Sequence, residues 1–126
     1  MNPSEKTILI IEDEQTLLKS LQLHLESEGF KVILASNGQK GIEQAKQKKP
    51  DLIILDLILP LKNGVEVLEE LEKDSSVCNI PVLVISNIED PEQMKKIKAM
   101  KIEDYLVKAQ YKLKDIGEKA KEILEA

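Results

Sequence analysis

The chain has 126 residues, 42% apolar and 33% charged, which is enough for a packed core and too rich in apolar residues for a disordered tail. Its net charge of −5 counts against non-specific nucleic-acid binding, and its 18 basic residues are all Lys, so bidentate Arg contacts to guanine or phosphate are excluded within the chain. One Cys (Cys78) and one His (His24) exclude an internal disulfide, a Cys-based zinc site and most His-dependent chemistry.

Met1–Lys6 lacks a signal-peptide layout, and no apolar run approaches the roughly 18 residues of a membrane span. A cytoplasmic protein without membrane contact is the expectation. Thr7–Ile11 then reads as a strand and Glu14–Ser27 as a helix, with Leu17, Leu18, Leu21 and Leu25 on one face and Leu23 off it. Gly29 ends that helix; Lys31–Ala35 is a second strand, and Asn37-Gly38 turns into a second helix. Asp51–Leu55 is a third strand, followed by a helix over Gly64–Asp74 carrying Val65, Leu68 and Leu71. After the fourth strand, Pro81–Ser86, the run Asp90-Pro91-Glu92-Gln93 starts a helix, with Asp90 as cap, Pro91 at the first position and Gln93 reaching back as a capping box. Asp104–Val107 is a fifth strand, and Lys112–Leu124 a fifth helix with Leu113, Ile116, Ala120, Ile123 and Leu124 on its stripe.

The first, third and fourth strands are nearly continuous apolar runs, as expected when helices cover both faces of a sheet. Strand–helix alternation with short connections implies a parallel α/β sheet with right-handed crossovers. Five units use the whole chain, so residues 1–126 are expected to form a single domain. A TIM barrel would need eight units. An open, doubly wound five-stranded sheet remains, with its ligand beyond the C-terminal strand ends.

At those ends stand Glu12-Asp13-Glu14, Asp56, Ser86-Asn87 and Lys108. Glu12, Asp13 and Asp56 together would raise a pKa or recruit a cation. An oxygen-only donor set suits a hard ion, with Mg²⁺ the best fit. The segment after the first strand has no glycine-rich phosphate loop. Carboxylates, Mg²⁺, a Lys and a hydroxyl suit phosphoryl transfer to a carboxylate nucleophile.

Four motifs in order carry a resemblance: Ile8-Leu9-Ile10-Ile11-Glu12-Asp13-Glu14, Asp51-Leu52-Ile53-Ile54-Leu55-Asp56-Leu57-Ile58-Leu59-Pro60-Leu61-Lys62-Asn63-Gly64, Val84-Ile85-Ser86 and Asp104-Tyr105-Leu106-Val107-Lys108. From Ile8 to Leu124 the chain resembles the response-regulator receiver domain of two-component signalling. The resemblance implies a flavodoxin-like sheet of order 2-1-3-4-5 with five helices. It implies Asp56 as phosphoacceptor, and Asp13, Glu12, Asp56 and the backbone carbonyl of Ile58 around Mg²⁺. Lys108 and the backbone of Asn87 would contact the phosphoryl group, Ser86 would swing towards it, and Tyr105 would turn inward behind Ser86. A sensor histidine kinase or a histidine phosphotransfer protein would supply the phosphoryl group. A downstream protein would read the face formed by the fourth helix, fifth strand and fifth helix, with no direct nucleic-acid contact. Such a protein is a regulator that assists its own phosphotransfer, not an enzyme.

The chain departs from the pattern in several places. Ala109 stands where the family usually has a proline after a cis bond. A non-proline cis bond costs roughly 2.5–4 kcal/mol, and a trans bond would change the aim of Lys108. Asn87 stands where Ala or Gly is usual and brings a side chain that would crowd Asp56. Leu59 and Lys101 replace a usual Met and Gly. Ala109 and Asn87 favour the alternative of a receiver-fold interaction module that works without phosphorylation. Ile58 and Ile88 are apolar where an attacking water would be oriented, which predicts slow phosphate loss.

Asp13 is expected to cap the first helix as well as bind metal. Lys95, Lys96, Lys98 and Lys101 form a basic run on the fourth helix, His24 lies at the edge of the first helix's stripe, and Cys78, Met94 and Met100 read as space-fillers.

Overall fold

In the computed structural model, which describes residues 6–87 and 90–125, strands and helices alternate along the chain. β1 (Thr7–Ile11) leads to α1 (Gln15–Ser27), β2 (Lys31–Ala35) to α2 (Gly38–Lys48), and β3 (Leu52–Asp56) to α3 (Gly64–Lys73). β4 (Val82–Ser86) leads to α4 (Pro91–Lys98), and β5 (Asp104–Val107), through a 3-10 turn at Lys108–Gln110, to α5 (Leu113–Glu125). The strands are parallel in the order β2-β1-β3-β4-β5, the flavodoxin-like architecture expected. Among the described residues no helix is long and apolar enough to cross a membrane.

The period-2 alternation of each strand divides the core in two. Ile8, Ile10, Ile54 and Ile85 pack with Leu21 and Leu25 of α1 and Ile116 and Ala120 of α5. Leu9, Ile11, Leu55 and Val84 pack with Ile42 of α2, Leu68 of α3 and Ile97 of α4. Because both faces are covered, every residue of β3 and β4 is buried. Leu23, off the α1 stripe, is 57% exposed as expected.

The register brings the strand ends level. Ile11 stands opposite Leu55, Asp56 opposite Ile85, and Ser86 opposite Val107. One residue further along, Glu12 and Lys108 leave the sheet at the same edge.

Local chemistry moves several boundaries and caps from their expected places. β3 runs one residue later than the apolar run suggested. The Asp51 carboxylate accepts the Thr7 N–H at 2.8 Å and stays outside the ladder, while Asp56 joins it. Pro81 precedes β4 and offers only its carbonyl, to Ile53 N–H at 3.0 Å. Asp13 does not cap α1: the N-cap is Glu14, whose side chain makes no capping bond, and the Glu12 carboxylate takes the Glu14 N–H at 3.0 Å. At α4, Asp90 accepts the Glu92 N–H at 3.1 Å, so the expected box with Gln93 is replaced by a tighter cap. The capping box occurs instead at α3, where Asn63 and Glu66 exchange bonds of 3.0 and 3.3 Å. Lys101 lies past α4 and is tied to α3 and its following loop, its N–H to Glu72 and its ammonium to Asn79. The basic run of α4 is therefore Lys95, Lys96 and Lys98.

Gly29 closes α1 at φ 100°, a conformation that favours glycine. Gly64 is required for a different reason, space. A Cβ there would run into the Leu57 backbone and lie 2.8 Å from the Asp56 carbonyl oxygen. We expect Gly64→Ala to destabilise the protein by about 2 kcal/mol, read as a lower urea midpoint at unchanged slope; an unshifted midpoint would contradict this packing.

Candidate functional site

Asp56 ends β3, and Glu12 and Lys108 stand one residue past the ends of β1 and β5, so the level strand ends bring the three side chains together. The Lys108 ammonium lies 2.7 Å from Glu12 Oε1 and 2.8 Å from Asp56 Oδ2, bridging the two carboxylates. Glu12 is fully buried and Asp56 only 3% exposed. The second oxygen of each carboxylate meets backbone: Glu14 N–H donates to Glu12 Oε2 at 3.0 Å, and Ile58 N–H to Asp56 Oδ1 at 3.3 Å. Asp13 is exposed at the mouth of the site, and one carboxylate oxygen from each of Glu12, Asp13 and Asp56 falls within a 4.8 Å group. Lys108 supplies one positive charge against three carboxylates. The set is all oxygen and net negative, the donor chemistry of a hard divalent ion.

Burial pushes the Glu12 carboxyl from 4.5 up to about 7. The Lys108 bond and the Glu14 N–H pull it down, and the Asp56 charge adds to the rise. Burial acts to lower the Lys108 ammonium, but its bonds to Asp56 and Glu12 outweigh that and hold it above its ordinary value. Lys108 stays charged while its partners compete for it.

Ser86 is fully buried at the end of β4. Tyr105 is 7% exposed and packs in the same core as Ile97 of α4, so it is already inward in this structure. Ile58 turns its side chain outward, 59% exposed. Ile88 lies outside the described residues. Leu61, in the loop after β3, is 79% exposed and adopts a left-handed φ of 68°, unusual for a branched side chain.

The two departures at Asn87 and Ala109 meet each other. Peptide bonds among the described residues are all trans, and Lys108 still reaches Asp56. The Ala109 N–H, a donor that proline would lack, gives its hydrogen to Asn87 Oδ1 at 3.0 Å. The Asn87 side-chain oxygen thus turns to the β5–α5 connection. Each residue stands out in the sequence, but their contact does not, because nothing in a linear chain marks a pair 22 positions apart.

His24 lies between α1 and α5, its ring against Gly117 and 3.8 Å from Glu28, far in the fold from the acidic edge. The basic residues of α4 are exposed.

Residues 8–121 match the model of the response regulator receiver domain. The chain is 34% identical to protein PilH of Pseudomonas aeruginosa over 80% of its own length and 84% of that protein. It is 32% identical to the alkaline phosphatase synthesis transcriptional regulatory protein PhoP of Bacillus subtilis, over 94% of this chain and 48% of that one. It is 42% identical to the KDP operon transcriptional regulatory protein KdpE of Escherichia coli, over 80% and 44%. The chain thus spans about half the length of PhoP and KdpE. Among solved structures, a CheY-like response regulator receiver domain protein from Methanospirillum hungatei superposes with a TM-score of 0.86 at 27% identity, covering 95% of this chain and 94% of that one.

The raised Glu12 carboxyl sets a sign for stability. The folded state binds this proton more tightly than the unfolded state, so the contribution is full below 4.5 and is lost as pH rises through about 7. In chelator, the thermal midpoint should fall between about pH 5 and about pH 8, and Glu12→Gln should flatten that fall. Equal slopes in the two proteins would refute the assignment.

Proposed function

The chain belongs to the response regulator receiver domain family, and from that premise we propose that it is the phosphoacceptor switch of a two-component system, with Asp56 taking the phosphoryl group. The observation that carries this reading is the Lys108 ammonium seated on a buried Asp56 carboxylate beside Glu12 and Asp13. A buried carboxylate held by a cation, beside two further carboxylates of which Asp13 is exposed, is arranged to gain a charged group and not merely to stabilise a fold.

Asp56 oxygen forms the new bond to phosphorus, and the bond from phosphorus to the donor breaks. The departing imidazole of a phosphohistidine, or the carboxylate of an acyl phosphate, keeps the bonding pair. Lys108 follows the developing charge from the carboxylate to a phosphoryl oxygen, Ser86 supplies a hydroxyl, and the Asn87 backbone completes the contacts. Glu12, Asp13, Asp56 and the Ile58 carbonyl would hold Mg²⁺. When bound, that ion neutralises phosphoryl oxygens that Lys108 alone cannot balance.

The donor is a sensor histidine kinase or a histidine phosphotransfer protein acting in the cytoplasm, and residues 1–126 act as one receiver unit. Phosphorylation adds charge at Asp56, draws Ser86 and Lys108 to it, and shifts the populations of the face formed by α4, β5 and α5. A protein partner reads that face. Tyr105, buried beneath it, links it to Ser86. The chain turns over no substrate beyond its own phosphoryl group.

Incubation with Mg²⁺ and a small acyl phosphate should add the mass of one phosphoryl group, lost in Asp56→Asn and without Mg²⁺. Lys108→Ala should slow the transfer by about 100-fold. A wild-type protein that gains no mass and does not respond to beryllofluoride would support the interaction module instead.

Ile58 offers no polar group to orient an attacking water, so the acyl phosphate should decay slowly. Ile58→Asn should accelerate decay several-fold in a phosphate-release assay. A wild-type half-life of seconds, or an unchanged rate in the variant, would overturn that expectation.

A further inference from the structure

The β4–β5 ladder ends at the pair Ser86 and Val107. Beyond it the backbone carrying Lys108 leaves the sheet, turns through Lys108–Gln110, and closes with a bond from Tyr111 N–H to the Lys108 carbonyl at 3.3 Å. A short 3-10 turn is a weak support for a long, flexible side chain that must hold its charge within a few tenths of an ångström. Two positions past the last ladder pair, the Ala109 N–H finds its acceptor in Asn87 Oδ1 at 3.0 Å. Lys108 is therefore anchored on both sides, by the ladder at Val107 and by the side chain of Asn87 at Ala109.

The anchor has a second end. Asn87 follows Ser86 directly, so one side chain ties the segment bearing the hydroxyl to the turn bearing the ammonium. Both groups must reach the same phosphoryl group.

We propose that Asn87 is a positioning residue: its side-chain oxygen, held on the Ala109 N–H, fixes the turn after β5 and so sets the reach of Lys108 to Asp56. The inference rests on Asp56 as phosphoacceptor and assigns Asn87 a role through its side chain, separate from any backbone contact. Asn87 is exposed and the turn lies at the surface, so its truncation removes the anchor without opening the core.

The test is a double-mutant cycle on transfer from a small acyl phosphate with Mg²⁺. Asn87→Ala should lower the maximal transfer rate about tenfold at unchanged half-saturating donor concentration and unchanged thermal midpoint. In a Lys108→Ala background, Asn87→Ala should cost nothing further. Losses that multiply across the Asn87 and Lys108 variants, or an unaltered rate in Asn87→Ala, would overturn the proposal.

The Lys108 ammonium resonance of the free, ¹⁵N-labelled protein separates this inference from its premise. That resonance should be sharp and hydrogen-bonded in wild type and broadened in Asn87→Ala. If wild type takes no phosphoryl group, the premise fails while the broadening still supports the anchor. An identical resonance in the two proteins would refute the anchor whatever the phosphorylation result.

Discussion

A single ammonium group shared between two buried carboxylates organises the acidic edge of this sheet. Burying Glu12 and Asp56 without compensation would cost several kcal/mol per charge. Lys108, at 2.7 and 2.8 Å, removes much of that cost. It does so incompletely, because Asp13 adds a third carboxylate within the same group. The residual negative charge suits a small hard cation better than a free polyphosphate. The absence of Arg reinforces this: a point charge on a flexible stem can transfer from one oxygen to another, where a planar fork would lock on one carboxylate.

The sheet makes this arrangement inexpensive. Parallel strands buried on both faces have a fixed register, since a slip of one residue would exchange the two cores. The pairing of Ile11 with Leu55 and of Asp56 with Ile85 brings distant parts of the chain to one line. Backbone N–H groups of Glu14 and Ile58, freed by the turns that follow β1 and β3, then orient the carboxylates.

Most of the architecture was legible in the sequence because hydrophobic periodicity is a one-dimensional signal. Ile, Val and Leu runs marked the strands, and Leu18, Leu21 and Leu25 marked the buried face of α1. The acidic cluster was legible as well, because strand ends in a doubly wound sheet share an edge. What escaped were contacts decided by local competition. Asp13 looked like the cap of α1, but the helix starts at Gln15 and the Glu12 carboxylate takes the nearby N–H. Asn63 and Glu66 held the capping box assigned to Asp90 and Gln93. Ala109 and Asn87 looked like two separate defects in a family pattern. In three dimensions the donor created by one is satisfied by the acceptor introduced by the other.

Gly64 presses the start of α3 against the backbone of Leu57 and the carbonyl of Asp56, leaving no slack behind the β3 end. On the other flank, α4 is short and buries only Ile97 fully. The end of β3 that carries Asp56 therefore has little room on its α3 side, where Gly64, Val67, Leu68 and Leu71 are buried, whereas α4 is held on the same core by fewer buried side chains.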